Sequence, residues 1–416
     1  MTLHPMLSAL RHHKAGVFLI ALQIALTLAI VCNAIFIIGH RIQRINRPSG
    51  VIEKNLFIVS QAWVGAPTGD DPASVAKLDA LQVADINTLR QLPDVQSVAA
   101  IQSLPLLSST WSGSVDAKPG KHDGAAHAAY YFGDQSMLST LGLKLVAGRD
   151  FTAADVGHRG RRSPDKPPIT IITRALAKRL FPDGQALGKT IYMDLGTTPT
   201  RIVGIVERMQ SPSVESWSNS FAWNSMLFPV RLDAGYSRYA VRAKPGREAQ
   251  AMKAARKALF AANPMRVMPD TWGVQSFSEV RGKAYRADRG MAILMSVICV
   301  ILLAVTAAGI VGLTSFWVGQ RQKQIGVRRA LGARRVDILR YFQAENLLIA
   351  GVGAVVGIAL AVGLNLWLMH RFEMNRIPVA YVLLGVVVVM ALGQAAVFMP
   401  ARRASGVPPV VATRSV

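Results

Sequence analysis

The stretch QRQKQIGVRRALGARRVDILRYFQAENLL, residues 320–348, carries seven Lys or Arg residues but only two acidic residues. It lies between two uncharged stretches, residues 291–318 and residues 347–369. Each of these is long enough, at about 1.5 Å per helical residue, to cross a bilayer. A short loop so rich in positive charge is typical of the cytoplasmic side of a membrane. The stretch therefore predicts a membrane protein in which residues 320–348 face the cytoplasm.

The rest of the composition agrees with a membrane protein that has a large polar part. Of the 416 residues, 51% are hydrophobic, and the mean hydropathy is +0.30, which is too apolar for an ordinary soluble protein. Two further stretches, residues 17–39 and 379–399, are long enough to span a bilayer. The first has an apolar core too long for a cleaved signal peptide, so we expect an uncleaved anchor.

The fold class expected is a membrane protein of four transmembrane α-helices, with a large α+β periplasmic domain inserted between spans one and two. Both termini are expected in the cytoplasm, because the segments before span one and after span four are short and basic, as is typical of the cytoplasmic side. The expected divisions are an N-terminal segment (1–16), helix 1 (17–39), a periplasmic domain (40–278), a stalk with helix 2 (279–318), a coupling loop (319–346), helix 3 (347–369), a short periplasmic loop (370–378), helix 4 (379–399) and a cytoplasmic tail (400–416).

Within residues 40–278, strand-like and helical pieces alternate, which predicts an α+β domain in two lobes. Residues 157–168 and 207–220 are expected to be surface loops, because they are rich in Gly, Pro and Ser. The polar residues before span two are expected to continue as one helix into it. Both cysteines, Cys32 and Cys299, lie in predicted spans, so no disulfide is expected in the outer domain.

Motifs for catalysis or nucleotide binding are incomplete in this sequence. GQALGKT, residues 184–190, has three residues between its glycines where a P-loop has four, and it follows a helix, so we interpret it as a helix-to-strand turn. None of the eight histidines forms a ligand pattern with Cys, Asp or Glu. We therefore expect no enzyme activity, no cofactor and no metal site in this chain. Nucleic-acid binding is not supported, because the basic loop has few interleaved aromatic residues.

Two features inside the spans concern helix packing. Gly353 and Gly357 form a small-xxx-small pair, which favours close helix packing within the chain or between two copies. Polar residues in the spans predict interhelical hydrogen bonds, with the lining of a substrate path as the alternative: Gln23, Thr27, Asn33, Asn365 and Gln394. From the residues alone, we predict that the basic loop forms two helical pieces with a break near Gly326 or Gly332, and that it rests on anionic membrane lipids.

The loop sequence QRQKQIGVRRALGARR also resembles the signature of the FtsX-like permease family, the membrane subunits of MacB-type ABC transporters. The residues that match the family signature are Ile325, Gly326, Arg328, Ala330, Leu331, Gly332 and Ala333. Gln320 and Gln324 stand at the two positions where the family has glutamates. Residues 400–414, PARRASGVPPVVATR, are similar to the closing motif of the family. Two stretches, residues 141–156 and 169–206, resemble its MacB-type periplasmic core domain.

This resemblance implies a location in the bacterial inner membrane, a dimer of permeases that is homo- or heterodimeric, and a separate ABC ATPase that binds ATP and docks on the coupling loop. The resemblance implies that the following residues of the loop contact the ATPase: Gln324, Ile325, Gly326, Arg328, Arg329, Ala330, Leu331, Gly332 and Ala333. The implied function is mechanotransmission that exports a drug, peptide or lipid-like substrate, with a periplasmic adaptor and an outer-membrane channel as further partners. The alternatives are an FtsX-like regulator that activates a periplasmic partner, and a lipoprotein-releasing permease.

Overall fold

Residues 14–69, 71–109, 111–120, 126–160, 165–372 and 376–406 are described by a computed structural model of the chain. They divide into a helical unit, from residues 1–46 and 287–416, and an α+β unit, Arg47–Arg286. Three predicted segments lie wholly or partly outside the described residues: most of the N-terminal segment (1–16), the middle of the short loop (370–378), and the tail with its closing motif beyond residue 406.

The helical unit contains the four apolar helices that the sequence predicts. Each is long and apolar enough to cross a membrane. They are α1 (Lys14–Ile45), α7 (Arg286–Gln320), α9 (Arg335–Phe372) and α10 (Val379–Ser405), with the short α8 (Gln322–Ala330) between α7 and α9. All five helices contribute to one apolar core. The helices are longer than the uncharged stretches because they continue into polar flanking residues.

Ion pairs and hydrogen bonds join these helices at several levels. Asp288, at the start of α7, pairs with Arg41 at 2.6 Å and lies 3.6 Å from Arg44, both near the end of α1. Thr27 and Thr306 share a hydrogen bond of 2.7 Å, and Asn33 Nδ2 donates to the carbonyl oxygen of Ala361 at 3.1 Å. The prediction of interhelical hydrogen bonds is confirmed at Thr27 and Asn33.

The first lobe of the α+β unit is an antiparallel sheet. Its strands are β1 (Leu56–Trp63), β2 (Val95–Ala100), β11 (Tyr236–Ala243), β12 (Arg266–Val267) and β13 (Val274–Ser276). The order is β12-β1-β11-β2, and β13 also pairs with β1. Helices α2 (Pro72–Arg90) and α5 (Glu248–Ala262) place apolar residues in the same core as β1 and β11. The Asp71 carboxylate caps α2 by accepting from Ser74 N at 3.0 Å.

The second lobe is an eight-stranded sheet that closes on itself. Its strands are β3 (Trp111–Asp116), β4 (Ala126–Gly133), β5 (Leu145–Gly148), β6 (Gly157–Gly160), β7 (Ile169–Thr173), β8 (Thr190–Met193), β9 (Pro199–Val206) and β10 (Ser225–Asp233). The order runs β4-β3-β8-β9-β7-β10, and β10 pairs in parallel with β4, which closes the ring. Strand β5 pairs with β9, and β6 pairs with β10. Helices α3 (Met137–Leu141) and α4 (Arg174–Leu180) complete this part of the chain.

Three expectations for this unit need correction. The segment 207–220 does not lie on the surface throughout, because Met209, Gln210 and Ser211 are buried. The segment 157–168 is not wholly a surface loop, because residues 157–160 form β6 in parallel register with the end of β10. The stalk is not a single helix, because α6 (Phe277–Ala284) and α7 are separated at Tyr285, where φ is −101° and ψ is 15°. Tyr285 is buried, and its hydroxyl accepts a hydrogen bond from Gln210 Nε2 at 3.0 Å. This side chain is held by the α+β unit instead of continuing a regular helix.

Candidate functional site

Residues 319–346, expected to form the coupling loop, comprise the end of α7, the short helix α8, a turn and the first residues of α9. Helix α7 ends at Gln320, Arg321 leaves the helical conformation, and α8 begins at Gln322. The break predicted near Gly326 or Gly332 lies at Gly332, which has a φ of +96°. Glycine adopts this left-handed conformation without the steric cost that a Cβ atom brings.

The end of α8 has the hydrogen bonds of a Schellman motif. Gly332 N donates to the carbonyl oxygen of Arg329 at 3.2 Å, and Ala333 N donates to that of Arg328 at 3.1 Å. Immediately after this turn, Asp337 accepts a hydrogen bond from Arg334 N at 3.0 Å and caps the start of α9. The sequence LGA at 331–333 therefore ends one helix, and the following residues start the next.

Three contacts hold α8 against the rest of the helical unit. Arg321 Nη1 lies 3.1 Å from both carboxylate oxygens of Glu345, which is 3% exposed. Ile325 is buried in the apolar core, and Gly326 beside it is also buried. Arg329 Nη1 donates to the carbonyl oxygen of Ser405, at the end of α10, at 2.9 Å. One face of α8 is therefore anchored.

The opposite face of α8 is exposed and partly apolar. Its members are spaced three or four residues apart, and we call them the outward face: Gln324, Val327, Arg328 and Leu331. Val327 is 49% exposed and Leu331 is 83% exposed. The Arg328 guanidinium carbon lies 4.9 Å from the centre of the Tyr341 ring, a cation–π contact that orients the charge while leaving it exposed. A short helix with such a face is suited to a groove on another protein.

The structure thus separates residues that the sequence analysis grouped together. Leu331 and Arg328 face outward with Gln324, whereas Ile325, Gly326 and Arg329 face the helical unit. Ala330 is exposed, Gly332 forms the turn and Ala333 packs against the core. Val327 is a further outward residue that the family resemblance does not indicate, although its spacing from Gln324 and Leu331 places it on their face.

The two glycines of α9 lie against α1. A Cβ atom on Gly353 would be 2.8 Å from the carbonyl oxygen of Ala21, and one on Gly357 would be 3.0 Å from that of Ala25. These distances are shorter than side chains tolerate, so both positions permit close approach of the two backbones. In this structure the small-residue pair serves packing within the chain.

The segment that resembles a P-loop is a turn. Residues 184–190 follow α4 and lead into β8, with Gly184 and Gly188 at φ values of +80° and +78°. The interpretation as a helix-to-strand turn is confirmed.

A group of possible metal ligands lies elsewhere, in the α+β unit. Asp79, His158 and Asp233 place one ligand atom each within 4.8 Å of one another. Desolvation raises the pKa of the Asp233 carboxyl to about 7, and desolvation also lowers the pKa of the His158 imidazole. The sequence analysis missed this group, because the three residues are far apart in the chain and only the fold brings them together.

Two protein families match successive parts of this chain. Residues 17–259 match the family described as the MacB-like periplasmic core domain, and residues 296–409 match the FtsX-like permease C-terminal family. The macrolide export ATP-binding/permease protein MacB of Chromobacterium violaceum is 27% identical over 276 residues, which cover 65% of this chain and 40% of that protein. The protein of the same name from Acinetobacter baylyi is 25% identical over 413 residues, which cover 98% of this chain and 58% of that protein.

The chain therefore spans between 40% and 58% of the length of these two relatives. Among solved structures, the periplasmic region of MacB from Actinobacillus actinomycetemcomitans is similar to 58% of this chain and 97% of its own, with 15% identity and a TM-score of 0.34.

Proposed function

The chain belongs to the MacB-type permeases with an FtsX-like C-terminal region, and on that premise we propose that it is the membrane subunit of an ABC exporter whose ATP is bound by a separate ATPase. Four apolar helices and a MacB-like core domain support a multi-pass membrane protein. In this proposal the chain transmits the ATPase cycle to the α+β unit and catalyses no reaction itself.

The proposed location is the bacterial inner membrane, with the coupling loop and both termini in the cytoplasm and the α+β unit in the periplasm. The seven basic residues of the loop support this orientation. In chain order, the α+β unit lies between α1 and α7, so both connections run through membrane-spanning helices.

Labelling in intact cells tests the orientation. A cysteine at Ala261, exposed on α5, should react with a membrane-impermeant maleimide, whereas one at Arg334 should react only after the cells are opened. The parent chain is the matched control, because its two cysteines are buried. Reaction at Arg334 but not at Ala261 in intact cells would invert the topology.

The exposed, partly apolar outward face of α8 is the main structural support for the proposed function. Leu331 is 83% exposed although it is a large apolar residue at the end of a well-anchored helix. Burying one leucine side chain in a groove contributes about 1.5–3 kcal/mol, and Arg328 beside it can pair with an acidic residue there.

The proposed mechanism is mechanotransmission. Movement of the ATPases would displace α8, and the Arg321–Glu345 and Arg329–Ser405 contacts would pass the displacement to α9 and α10. Rigid helices can bias a distant domain between two states in this way. The proposed assembly contains two permeases, with a periplasmic adaptor and an outer-membrane channel, and exports a drug, peptide or lipid-like substrate.

Site-specific photocrosslinking tests the docking surface. A photoreactive amino acid at Leu331 should capture, in native membranes, a protein that mass spectrometry identifies by its P-loop as an ABC ATPase. The matched control is Val355 of α9, which is 70% exposed but lies in a membrane-spanning stretch. Capture of the same ATPase from both positions, or from neither, would contradict the proposed docking.

A further inference from the structure

Three side chains from different parts of the α+β unit converge on one point. Asp79 belongs to α2 in the first lobe, His158 to β6, and Asp233 to the end of β10. His158 Nδ1 lies 3.2 Å from Asp79 Oδ1 and 3.4 Å from Asp233 Oδ2. Donor atoms about 2.0–2.1 Å from a tetrahedral ion lie roughly 3.3–3.4 Å apart. The two distances therefore match the edges of a zinc coordination tetrahedron.

Asp233 provides a second, independent observation. Its side chain has no exposed surface, and Oδ1 accepts a hydrogen bond from Gln82 Nε2 at 3.1 Å. Within the part of the chain that the structure describes, Oδ2 has no hydrogen-bond partner. Buried carboxylate oxygens are normally satisfied by a donor or a cation. This oxygen is the one directed at His158.

The charges around the cluster are not balanced by the neighbouring cation. Arg231 donates from Nε to Asp79 Oδ1 at 2.9 Å, and its Nη2 is 2.7 Å from the same oxygen. One guanidinium thus neutralises one carboxylate. Among the described residues of the cluster, the only basic group beside Asp233 is the His158 imidazole, 3.4 Å away, which carries a charge only when it is protonated. A bound proton or a metal ion would supply the missing positive charge.

We propose that Asp79, His158 and Asp233 bind a divalent transition metal ion, with Zn²⁺ the best match to one imidazole nitrogen and two carboxylate oxygens. Three protein ligands leave a fourth position for water or another ligand. His158 would coordinate through Nδ1 and keep its proton on Nε2. The 3.1 Å contact between Arg231 Nη2 and His158 Nε2 would then be lost, because two donors cannot share a hydrogen bond, while Arg231 Nε could keep its hydrogen bond to Asp79 Oδ1.

The ion would fasten α2 of the first lobe to β6 and β10 of the second. This role goes beyond the proposed export function and does not depend on it. The α+β unit has no disulfide among its described residues, so a metal bridge would join the two lobes where no disulfide does.

Metal binding to the purified full-length chain in detergent tests the proposal. The protein carries a tag without histidine and is first stripped with EDTA. Titration with Zn²⁺ against a chromophoric chelator should give one tight site per chain, and Co²⁺ should give a visible absorption band of tetrahedral type. Both H158Q and D79N should weaken binding at this site at least tenfold.

His127→Gln is the matched control. His127 is a histidine of the same unit, on β4, and is not part of the cluster, so H127Q should bind as the parent does. The H158Q and D79N proteins should elute and melt as folded protein, which separates loss of a ligand from loss of the fold. Equal Zn²⁺ binding by the parent, H158Q and D79N would overturn the proposal, as would equal loss in H127Q.

Discussion

Arg329 of α8 donates a hydrogen bond from Nη1 to the carbonyl oxygen of Ser405 at 2.9 Å, and so ties the coupling loop to the end of α10. Its neighbour Arg328 has a different role, with its guanidinium over the Tyr341 ring on the exposed side. Two adjacent arginines therefore serve separate functions. Arg329 anchors the helix within the chain, and Arg328, in the proposed complex, would present its charge to the ATPase.

Helix packing in the membrane-spanning region gives the first prediction. G353V should separate α9 from α1, because even a Cβ atom would be 2.8 Å from the Ala21 carbonyl oxygen. We expect a loss of about 1–3 kcal/mol in stability, as for other overpacked positions, seen as a lower melting temperature in detergent. G351V is the matched control, since no atom lies within 4 Å of a Cβ atom there. Equal effects of the two changes would show that close packing at Gly353 is not needed.

The second prediction concerns a buried ion pair in the first lobe. Arg266 Nη2 lies 2.9 Å from Asp85 Oδ1, and the two side chains are 0% and 3% exposed. R266M should cost about 3–5 kcal/mol, because it leaves the Asp85 carboxylate buried without a cation. Denaturant unfolding of the full-length chain measures this cost.

The control is the double variant D85L/R266M, in which both charges are removed. It should be more stable than R266M alone, because no unpaired charge remains. If the double variant loses as much free energy of unfolding as R266M and the single variant D85L lose together, the two residues do not interact.

The third prediction is the pH dependence of metal-free protein. The Asp233 pKa is raised to about 7 by desolvation and by the nearby Asp79 charge, from an unfolded value near 3.8. The folded state therefore binds more protons than the unfolded state between these values. This contribution to stability is fully present below about pH 4 and is lost as the pH rises towards 7, by up to about 4 kcal/mol at roughly 1.4 kcal/mol per pKa unit.

Thermal unfolding in EDTA between pH 4.5 and 8 measures this effect. D233N should remove the decline, because the amide does not titrate. His158, whose pKa is lowered, contributes in the opposite direction, since its stabilisation is lost as the pH falls below about 6.5. A parent chain and a D233N variant with parallel pH profiles would contradict a raised Asp233 pKa.

The sequence predicted the helical unit well, and the physical reason is direct. Uncharged stretches of more than 20 residues have few alternatives to a membrane-spanning helix. The helix break at Gly332 could also be predicted from the sequence, because a glycine after a helical stretch favours a left-handed C-terminal turn. Alternation of strand-like and helical pieces was enough to predict an α+β domain in two lobes.

Features that depend on pairing between distant parts of the chain could not be predicted from the sequence. The sequence predicts a loop at His158, because GHRG lacks the apolar alternation of a strand, whereas in the structure this segment pairs with β10. The same pairing creates the cluster with Asp79 and Asp233. The different directions of Arg328 and Arg329 depend on where Ser405 lies, which no local pattern specifies.

The most direct test of the central claim is copurification of the ATPase with charge-reversal variants of the coupling loop. R328E places a negative charge on the outward face of α8, and R403E places the same charge at an exposed position near the end of α10. Disrupting one partner of a buried charge pair typically costs about 2–5 kcal/mol, whereas each charge lost from a lipid surface costs about 1 kcal/mol. We predict that R328E inserts and folds normally but loses most of its ATPase, while R403E retains it. Full retention of the ATPase by R328E, or equal loss from R328E and R403E, would contradict the claim that α8 is the docking helix.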